Sequence, residues 1–558
     1  MAHRCSPSRR TVALTAAGIL VATGGIALDP VAASAATWVP TSTTALSPTD
    51  AVRLAAAPAT RSLRLTVGLA PRNRSALDTL IAQQATPGSA NYEKYLTPAQ
   101  FTARFAATQA TATRVTDYLT SQGMQHVTVA SNRLQVTADA TVAQAQQAFH
   151  TSIASFSRAG KRVIANTSAA QVPATLAGAV TGVLGLSDLG PALPTLPSAP
   201  KLTGYYPKEY NTVYHSAGTK PGTGTTLAVI AQGDLTQTVK DLRYAEAKQG
   251  LPQVPVTLRY NGIKSADTAG TIEWDLDTQT STGIAPNASR LYVYVATTLT
   301  DSDLARSIND FAARNEARSG NASLGECDLL PYLDGSMVVD DMAFAEAAVQ
   351  GQTFFASSGD TGSSCPVAPT NGVPGSGPTD TSYPASSPYV LGVGGTTLLA
   401  SDANAYQSEI AWNAGGGGVS PVEYPGAWTN GVNLAGTAGL RGVPDVAFAA
   451  DPVSGGNIYA TDSGTTSVQT VGGTSLASPL AMGLWTRMVA TRGAKLGFAP
   501  PKLYAYYSRV QAGNPVTAVP GFHDVVAGAN GVYTALPGYD YTTGLGSFDV
   551  AVLTGKLG

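Results

Sequence analysis

Three short stretches of this chain place acids and a serine where they could do chemistry. Ser475 stands behind two glycines in Gly472-Gly473-Thr474-Ser475-Leu476-Ala477-Ser478-Pro479, a turn of the kind that presents a nucleophile. A serine hydroxyl attacks a carbonyl well only when a neighbouring base takes its proton. Glu273-Trp274-Asp275-Leu276-Asp277 offers such a base, because on a helix Glu273 and Asp277 lie one turn apart on a shared face. Stacked carboxylates shift each other's pKa, so Glu273 could take the Ser475 proton while Asp277 orients it. An isolated pair at this spacing is otherwise an acidic, solvated helix face, and Asp275 falls off that face. The third stretch, Phe354-Phe355-Ala356-Ser357-Ser358-Gly359-Asp360-Thr361-Gly362, is an apolar strand breaking into a Gly-rich turn with one acid. Protonated, Asp360 could donate to the oxyanion of a tetrahedral intermediate; ionised, it would repel it. An ordinary Asx turn is the alternative there.

The turn around Ser475 resembles that of the subtilisin-type serine peptidases, whose triad runs Asp, His, Ser in chain order. The chain has five histidines, His3, His126, His150, His215 and His523. His523 follows the serine, and the first three lie in segments expected to be removed. His215 remains, in Tyr214-His215-Ser216-Ala217, without the glycine that usually follows such a histidine and with no Asp between residue 201 and itself. A base other than histidine must serve Ser475. An esterase of the G-x-S-x-G type is disfavoured as well, since Gly473-Thr474-Ser475-Leu476-Ala477 lacks the second glycine.

The elements that must position these groups fall into two regions. Residues 60 to 186 read as an α+β unit: a strand over Ser62 to Leu69, helical stretches over Ser75 to Gln84 and Thr97 to Gln122, two short strands within His126 to Thr137, and a helix from Thr141 to Phe149. Residues 191–200 carry a proline at every third position, which favours an extended, cleavable linker. From residue 201 strands and helices alternate: strands at Thr225 to Gln232, Leu291 to Ala296 and Thr353 to Ser357, helices at Thr236 to Lys248, Leu304 to Arg318 and Asp341 to Gln350. Such alternation predicts a parallel sheet flanked by helices, with the site at the carboxyl ends of the strands.

Taken together, Glu273-x-x-x-Asp277, Ser357-Ser358-Gly359-Asp360-Thr361-Gly362 and Gly473-Thr474-Ser475-x-x-x-Pro479 resemble the sedolisins, the serine-carboxyl peptidases that include kumamolisin and tripeptidyl-peptidase I. Ser382-Tyr383-Pro384-Ala385-Ser386-Ser387-Pro388-Tyr389-Val390, Gly415-Gly416-Gly417-Gly418-Val419-Ser420 and Arg441-Gly442-Val443-Pro444-Asp445-Val446-Ala447 fit the same family, and the region from about 60 to 186 is similar to its kumamolisin-type activation domain. The resemblance implies an α/β, subtilisin-like fold with a parallel sheet flanked by helices, preceded by an α+β prodomain. It also implies Ser475 as nucleophile, Glu273 as general base, Asp277 as its partner and Asp360 as the oxyanion acid. Phe522-His523-Asp524-Val525-Val526 and Pro537-Gly538-Tyr539-Asp540-Tyr541-Thr542-Thr543-Gly544-Leu545-Gly546 resemble the family's calcium site. One Ca2+ would be held there by the carboxylates of Asp524 and Asp540 and the carbonyls of Val525, Leu536 and Gly538. Leu536 replaces a glycine common in the family, and Asp328, in Gly325-Glu326-Cys327-Asp328, stands where relatives tend to carry Glu. Asp328 is expected either to line the substrate cleft or to serve a structural turn.

Composition sets the context. Arg4, Arg9 and Arg10, an apolar run from Thr11 to Leu28 and Ala33-Ser34-Ala35 make residues 1–35 a secretory signal, with a membrane anchor as the alternative; Ser8-Arg9-Arg10 is compatible with twin-arginine export. The expected organisation is signal 1–35, activation prodomain 36–190, linker 191–200 and catalytic domain 201–558. Once the signal is gone, Cys327 and Cys365 remain as an even pair in an exported chain, which favours a disulfide that would brace the Asp360 turn. Residues 36–200 carry 12 Lys+Arg against 6 Asp+Glu, whereas 201–558 carry 19 against 29. Opposite signs suggest that the prodomain is an intramolecular inhibitor, not that the chain binds nucleic acid. The whole reads as a secreted, monomeric serine-type endopeptidase acting in acid on protein or peptide substrates, made as an autoprocessed zymogen and free of the membrane once the signal is removed. Tripeptidyl release is the variant activity, and a non-catalytic peptide-binding protein on a peptidase scaffold is the alternative from another class.

Overall fold

Ser62–Leu69 forms the expected strand, β1, over those same residues in the computed structural model. That model describes residues 37–557 apart from 47, 49–50, 159, 191–203, 366–377, 430–431, 433–438, 494 and 514–517. The expected signal 1–35 and linker 191–200 lie outside the described residues. Alternation along β1 gives it two buried faces. Leu63, Leu65, Val67 and Leu69 point into the N-terminal region's own core. Arg64, Thr66 and Gly68 face the other way. β1 lies in a four-stranded antiparallel sheet with β2 (Gln125–Val129), β3 (Gln135–Thr141) and β4 (Val180–Leu184), in the order β2-β3-β1-β4.

Helix α1 spans Arg74–Ala85. The single helical stretch expected from Thr97 to Gln122 is instead two helices, α2 (Pro98–Arg104) and α3 (Gln109–Ser121). Each has its own start signal: Thr97 and Gln100 form a capping box ahead of Pro98, and the Thr108 hydroxyl accepts from Thr111 N. A second side-chain cap in mid-stretch competes with helix continuation and breaks it. Val142–Ala148 forms α4. The sequence reading missed an antiparallel sheet in which Ile153–Arg158 pairs with Ala51–Ala56 and Lys161–Asn166.

The second region is built on an eight-stranded sheet. Its elements in chain order are β5 (Thr226–Gln232), α5 (Thr236–Gln249), β6 (Val256–Tyr260), α6 (Thr271–Ile284), β7 (Arg290–Ala296), α7 (Asp301–Arg314), β8 (Ser319–Ala322), α8 (Ser336–Val349), β9 (Thr353–Ser357), β10 (Val390–Ala400), β11 (Tyr406–Ala411), β12 (Val446–Ala449) and α9 (Thr474–Arg492). The spatial order is β6-β7-β5-β8-β9-β10-β11, with β12 also on β10; every pairing is parallel except β10 with β11. The expected helix from Leu304 to Arg318 ends at Arg314, because Asn315 turns left-handed, and Ser319–Ala322 is a strand. The helix expected from Asp341 begins at Ser336, after the turn at Gly335.

The sheet β2-β3-β1-β4 sits on α7 and α8. Thr66 Oγ lies 3.1 Å from Ser302 O, Arg64 Nη1 is 3.2 Å from Asp303, Gln135 Nε2 donates to Ala305 O at 3.1 Å, and Asn132 Nδ2 donates to Glu346 at 2.6 Å. At Gly68 a Cβ would lie 2.6 Å from a Val339 methyl, so only glycine lets the strand approach the helix so closely. The two helices that carry the candidate site, α6 and α9, pack on each other with comparable closeness: a Cβ on Gly483 would come within 2.9 Å of Ile284 Cβ.

Candidate active site

Helix α9 opens with Thr474 and Ser475, directly after Gly473, whose φ of 101° no other residue adopts at ease. A Cβ at 473 would also lie 2.6 Å from Asp360 Oδ2. Asp360, in the turn after β9, is clamped to the start of α9: its Oδ1 accepts from Thr474 N at 2.7 Å and lies 2.8 Å from Thr474 Oγ. The other oxygen, Oδ2, is buried without a partner, as is Ser475 Oγ. Burial raises Asp360 to about 6, against the two Thr474 hydrogen bonds that favour its charge.

Ser475 also has an unusual backbone. Pro479 lies inside the helix, four residues on, and has no N–H to give the Ser475 carbonyl. Ser323 Oγ stands 3.2 Å from that carbonyl and 2.6 Å from Asp277 Oδ1, and its one proton serves the shorter contact. Asp277 Oδ1 accepts a second bond from Asn321 Nδ2 at 2.9 Å, and the amide of Asn321 is oriented by the Ser478 hydroxyl, 2.6 Å from its Oδ1. Asp277 Oδ2 and both oxygens of Glu273 are buried without a well-formed hydrogen bond. Glu273 is nonetheless close enough to the Ser475 hydroxyl for that contact to favour its charged form. Desolvation outweighs this and pushes Glu273 well up, helped by the charges of Asp277 and Asp360. Asp277 is raised by burial too, with Ser323 and Asn321 opposing.

All four expected residues therefore meet at the amino end of α9. Asn321, Ser323, Thr474 and Ser478 were not singled out from the sequence. Thr474 and Ser478 stood inside the quoted motif, and Asn321 and Ser323 carried a signal only as polar residues at the end of β8. The described histidines are engaged elsewhere: His215 with Asp549 at 3.0 Å, His523 stacked on Tyr406 and near Ser547, His126 with Asp139 and His150 with Gln171. Cys327 and Cys365 are bonded to each other. Asp328 serves the structural role: it is fully buried and accepts from Thr381, Ser386 and Ser420 at 2.5–2.7 Å.

Residues 49–189 match the pro-kumamolisin activation domain, and residues 265–497 match the subtilase family. The chain is 35% identical over 560 residues to sedolisin of Pseudomonas sp. (strain 101), covering 93% of this chain and 92% of that one. The chain belongs to the sedolisin family. It is also 34% identical over 565 residues to xanthomonalisin of Xanthomonas sp. (strain T-22), covering 90% of this chain and 66% of the other. The solved structure of Pseudomonas sedolisin complexed with two molecules of pseudo-iodotyrostatin has a TM-score of 0.58 at 35% identity, covering 64% of this chain and 98% of that one. The protein is thus a serine-carboxyl peptidase made with an activation prodomain.

The sedolisin's expected calcium ligands lie in one C-terminal loop system. Asp524 Oδ2 accepts from Gly538 N at 2.9 Å, and Asp540 accepts from Leu536 N, Thr542 N and Thr543 N at 2.7–3.0 Å. Burial, and then the charge of Asp540, raise Asp524, so the two acids repel across this loop. Among the described residues no ion pair neutralises either one. That donor chemistry fits a hard cation. Leu536 also fits: it has no positive φ, and its side chain is exposed, so the backbone there does not need glycine.

Asp275, expected to fall off the working face, is also fully buried on α6. It meets Asp241 of α5, whose oxygens accept from Gln237 Nε2 at 2.8 Å and Thr461 N at 3.0 Å. Burial first, then the Asp241 charge, raise Asp275 to about 9, so it keeps its proton through neutral pH. A folded pKa above the unfolded value means that the folded state binds the extra proton, so stability is full below about 4 and falls as pH rises towards about 9. In a Ser475→Ala background the melting temperature should drop by several degrees between about pH 4 and pH 8. Asp275→Asn, neutral at every pH, should flatten that drop; an equally steep fall in thermal scans would refute the retained proton.

Proposed function

We propose that this sedolisin is secreted and works in acid as an endopeptidase, through an acyl-enzyme on Ser475. The observation that carries this reading is the convergence of three buried acids, each with an unpartnered oxygen, on the unpartnered Ser475 hydroxyl. Ser475 Oγ attacks the scissile carbonyl and its proton passes to Glu273. Asp277, held by Asn321 and Ser323, keeps Glu273 in place. Neutral Asp360 donates from Oδ2 to the oxyanion. Glu273 then gives its proton to the leaving amine and later takes one from the water that cleaves the acyl-enzyme.

Acid suits every part. Below about 6 Asp360 is neutral, so it can donate and no longer adds a negative charge beside Glu273. Two adjacent acids then share one proton, which leaves a single charge on the pair to act as base. A histidine base would be mostly protonated there. The low charged fraction, 13% against about 25% in average domains, limits positive self-repulsion once acids are neutral.

The basic prodomain holds acidic groups of the catalytic region through Arg64 on Asp303 and through Arg74, whose neighbours include Asp341. This supports its role as an inhibitor that acid weakens, with processing in 191–200. In the C-terminal loop one Ca2+ would be held by Asp524 and Asp540, with the carbonyls of Val525, Leu536 and Gly538. When bound, it would cancel the repulsion of the two acids and fix the loop.

Three outcomes follow. Precursor incubated with a denatured protein at about pH 4 should lose its N-terminal segment and yield internal fragments by mass spectrometry, whereas Ser475→Ala should do neither; a tripeptide ladder would replace the endopeptidase reading, and activity confined to neutral pH would overturn it. Asp360→Ala should lower kcat about 10²–10³-fold. Asp360→Asn, always a donor, should retain more activity and move the falling limb near pH 6 upward in a pH–rate profile. Chelation should lower the melting temperature of the processed enzyme but not of processed Asp524→Asn, and equal shifts in both would remove calcium from this loop.

A further inference from the structure

Three more carboxylates cluster where the prodomain meets the catalytic domain. Asp301 is the first residue of α7, Glu326 lies in the two-residue strand Glu326–Cys327, and Asp334 ends the short helix Leu329–Asp334. One oxygen from each lies within 4.8 Å of the others. Oxygens bound to one calcium at about 2.3–2.6 Å span at most about that distance.

The prodomain supplies an independent pointer. Asn166 is 1% exposed, and its Nδ2 donates to Thr44 O at 2.6 Å and Ser168 O at 3.1 Å. Those two bonds fix the amide, and its Oδ1 is left buried without a partner. Asn166, Asp301 and Asp334 line one small cavity of about 10 Å³, together with Thr43 and the prodomain segment 183–187. A space of that size holds one ion or one water.

Charge argues for the ion. Asp340 adds its negative charge to Glu326 and Asp334, while the positive charge acting on Glu326 is that of Arg158 from the prodomain. Three buried acids and the half-buried Glu326 against one arginine leave an excess of negative charge, which burial tolerates only when it is neutralised. All the donors are hard oxygens, and one is a neutral amide, the set that suits Ca2+.

We propose that the precursor binds a divalent cation, Ca2+, between its two domains, on Asp301, Glu326 and Asp334 of the catalytic domain and Asn166 Oδ1 of the prodomain. The ion ties the prodomain to the ends of α7 and of the helix Leu329–Asp334, and its site loses a ligand when the prodomain leaves.

The test is a count of bound Ca2+ on full-length Ser475→Ala precursor at neutral pH, by equilibrium dialysis, with a gel to show the chain intact. The parent should bind one ion more than Asp301→Asn/Asp334→Asn. Equal counts, in a double variant whose circular dichroism matches the parent, overturn the site and leave protons to neutralise the cluster. Should the double variant fail to fold, Asn166→Ala removes only one neutral oxygen, and one ion's affinity should weaken about tenfold; an unchanged titration overturns the proposal.

Discussion

Helix α6 is buried from Glu273 to Ile284, and an acid on such a helix keeps its charge only if something compensates for the water it has lost. Much of the site follows from how each acid meets that requirement. Asp445, elsewhere in the core, has Arg441 in a two-pronged contact, 2.7 and 3.1 Å, with the Tyr504 hydroxyl as a further donor. Asp275 has the charge of another acid beside it and must keep its proton. Asp277 has two neutral donors on one oxygen and none on the other. Glu273 has only the nearby hydroxyl of Ser475 against its desolvation, so its proton affinity is pushed well up beside that serine. The gradient from Asp445 to Glu273 runs from structural acid to reactive one.

Geometry at the amino end of α9 follows from two residues that act on backbone alone. Gly473 permits a φ of 101° and leaves room for Asp360 Oδ2, so the turn can bring an acid beside the serine. Pro479 removes one helical hydrogen bond, which leaves room beside the Ser475 carbonyl for Ser323, the residue that donates to Asp277. Ser323 thus stands between the backbone of Ser475 and Asp277, with its proton on the acid.

How much of this was legible in the chain depended on whether a residue's role was local. β1 and β9 appeared over the expected residues because the alternation of Ser62–Leu69 and the short apolar run ending in the Gly-rich turn after Ser357 specify strands by themselves. β8 did not, because Ser319-Gly320-Asn321-Ala322 has no β-branched or large apolar residue; small side chains are wanted there because a Cβ on Gly320 would lie 2.8 Å from the rings of Phe311 and Phe354. Only the tertiary setting makes that segment a strand. The three acids and the serine of the site were readable from spacing together with the family pattern, whereas Asn321 and Ser323 act across the fold and carry no spacing to α6. Asp275 was misjudged for a related reason: an off-face position is solvated only on an amphipathic helix, and α6 has no solvent side after its first residues.

The same logic connects the site to the prodomain seam. Few lysines and arginines are available in this chain, so most of its buried acids cannot be paired as Asp445 is. Glu346, at the seam, is raised to about 8 by burial although Asn132 donates to it. Such groups fold most readily with their protons on, which makes the closed fold stable in acid and progressively strained as pH rises. A contact that rests on charge, such as Arg64 with Asp303, behaves in the opposite sense and weakens when its acid is neutralised. Acid activation as proposed therefore requires that charge contacts such as Arg64 with Asp303 outweigh seam acids such as Glu346, whose protonation favours the closed fold together with the core.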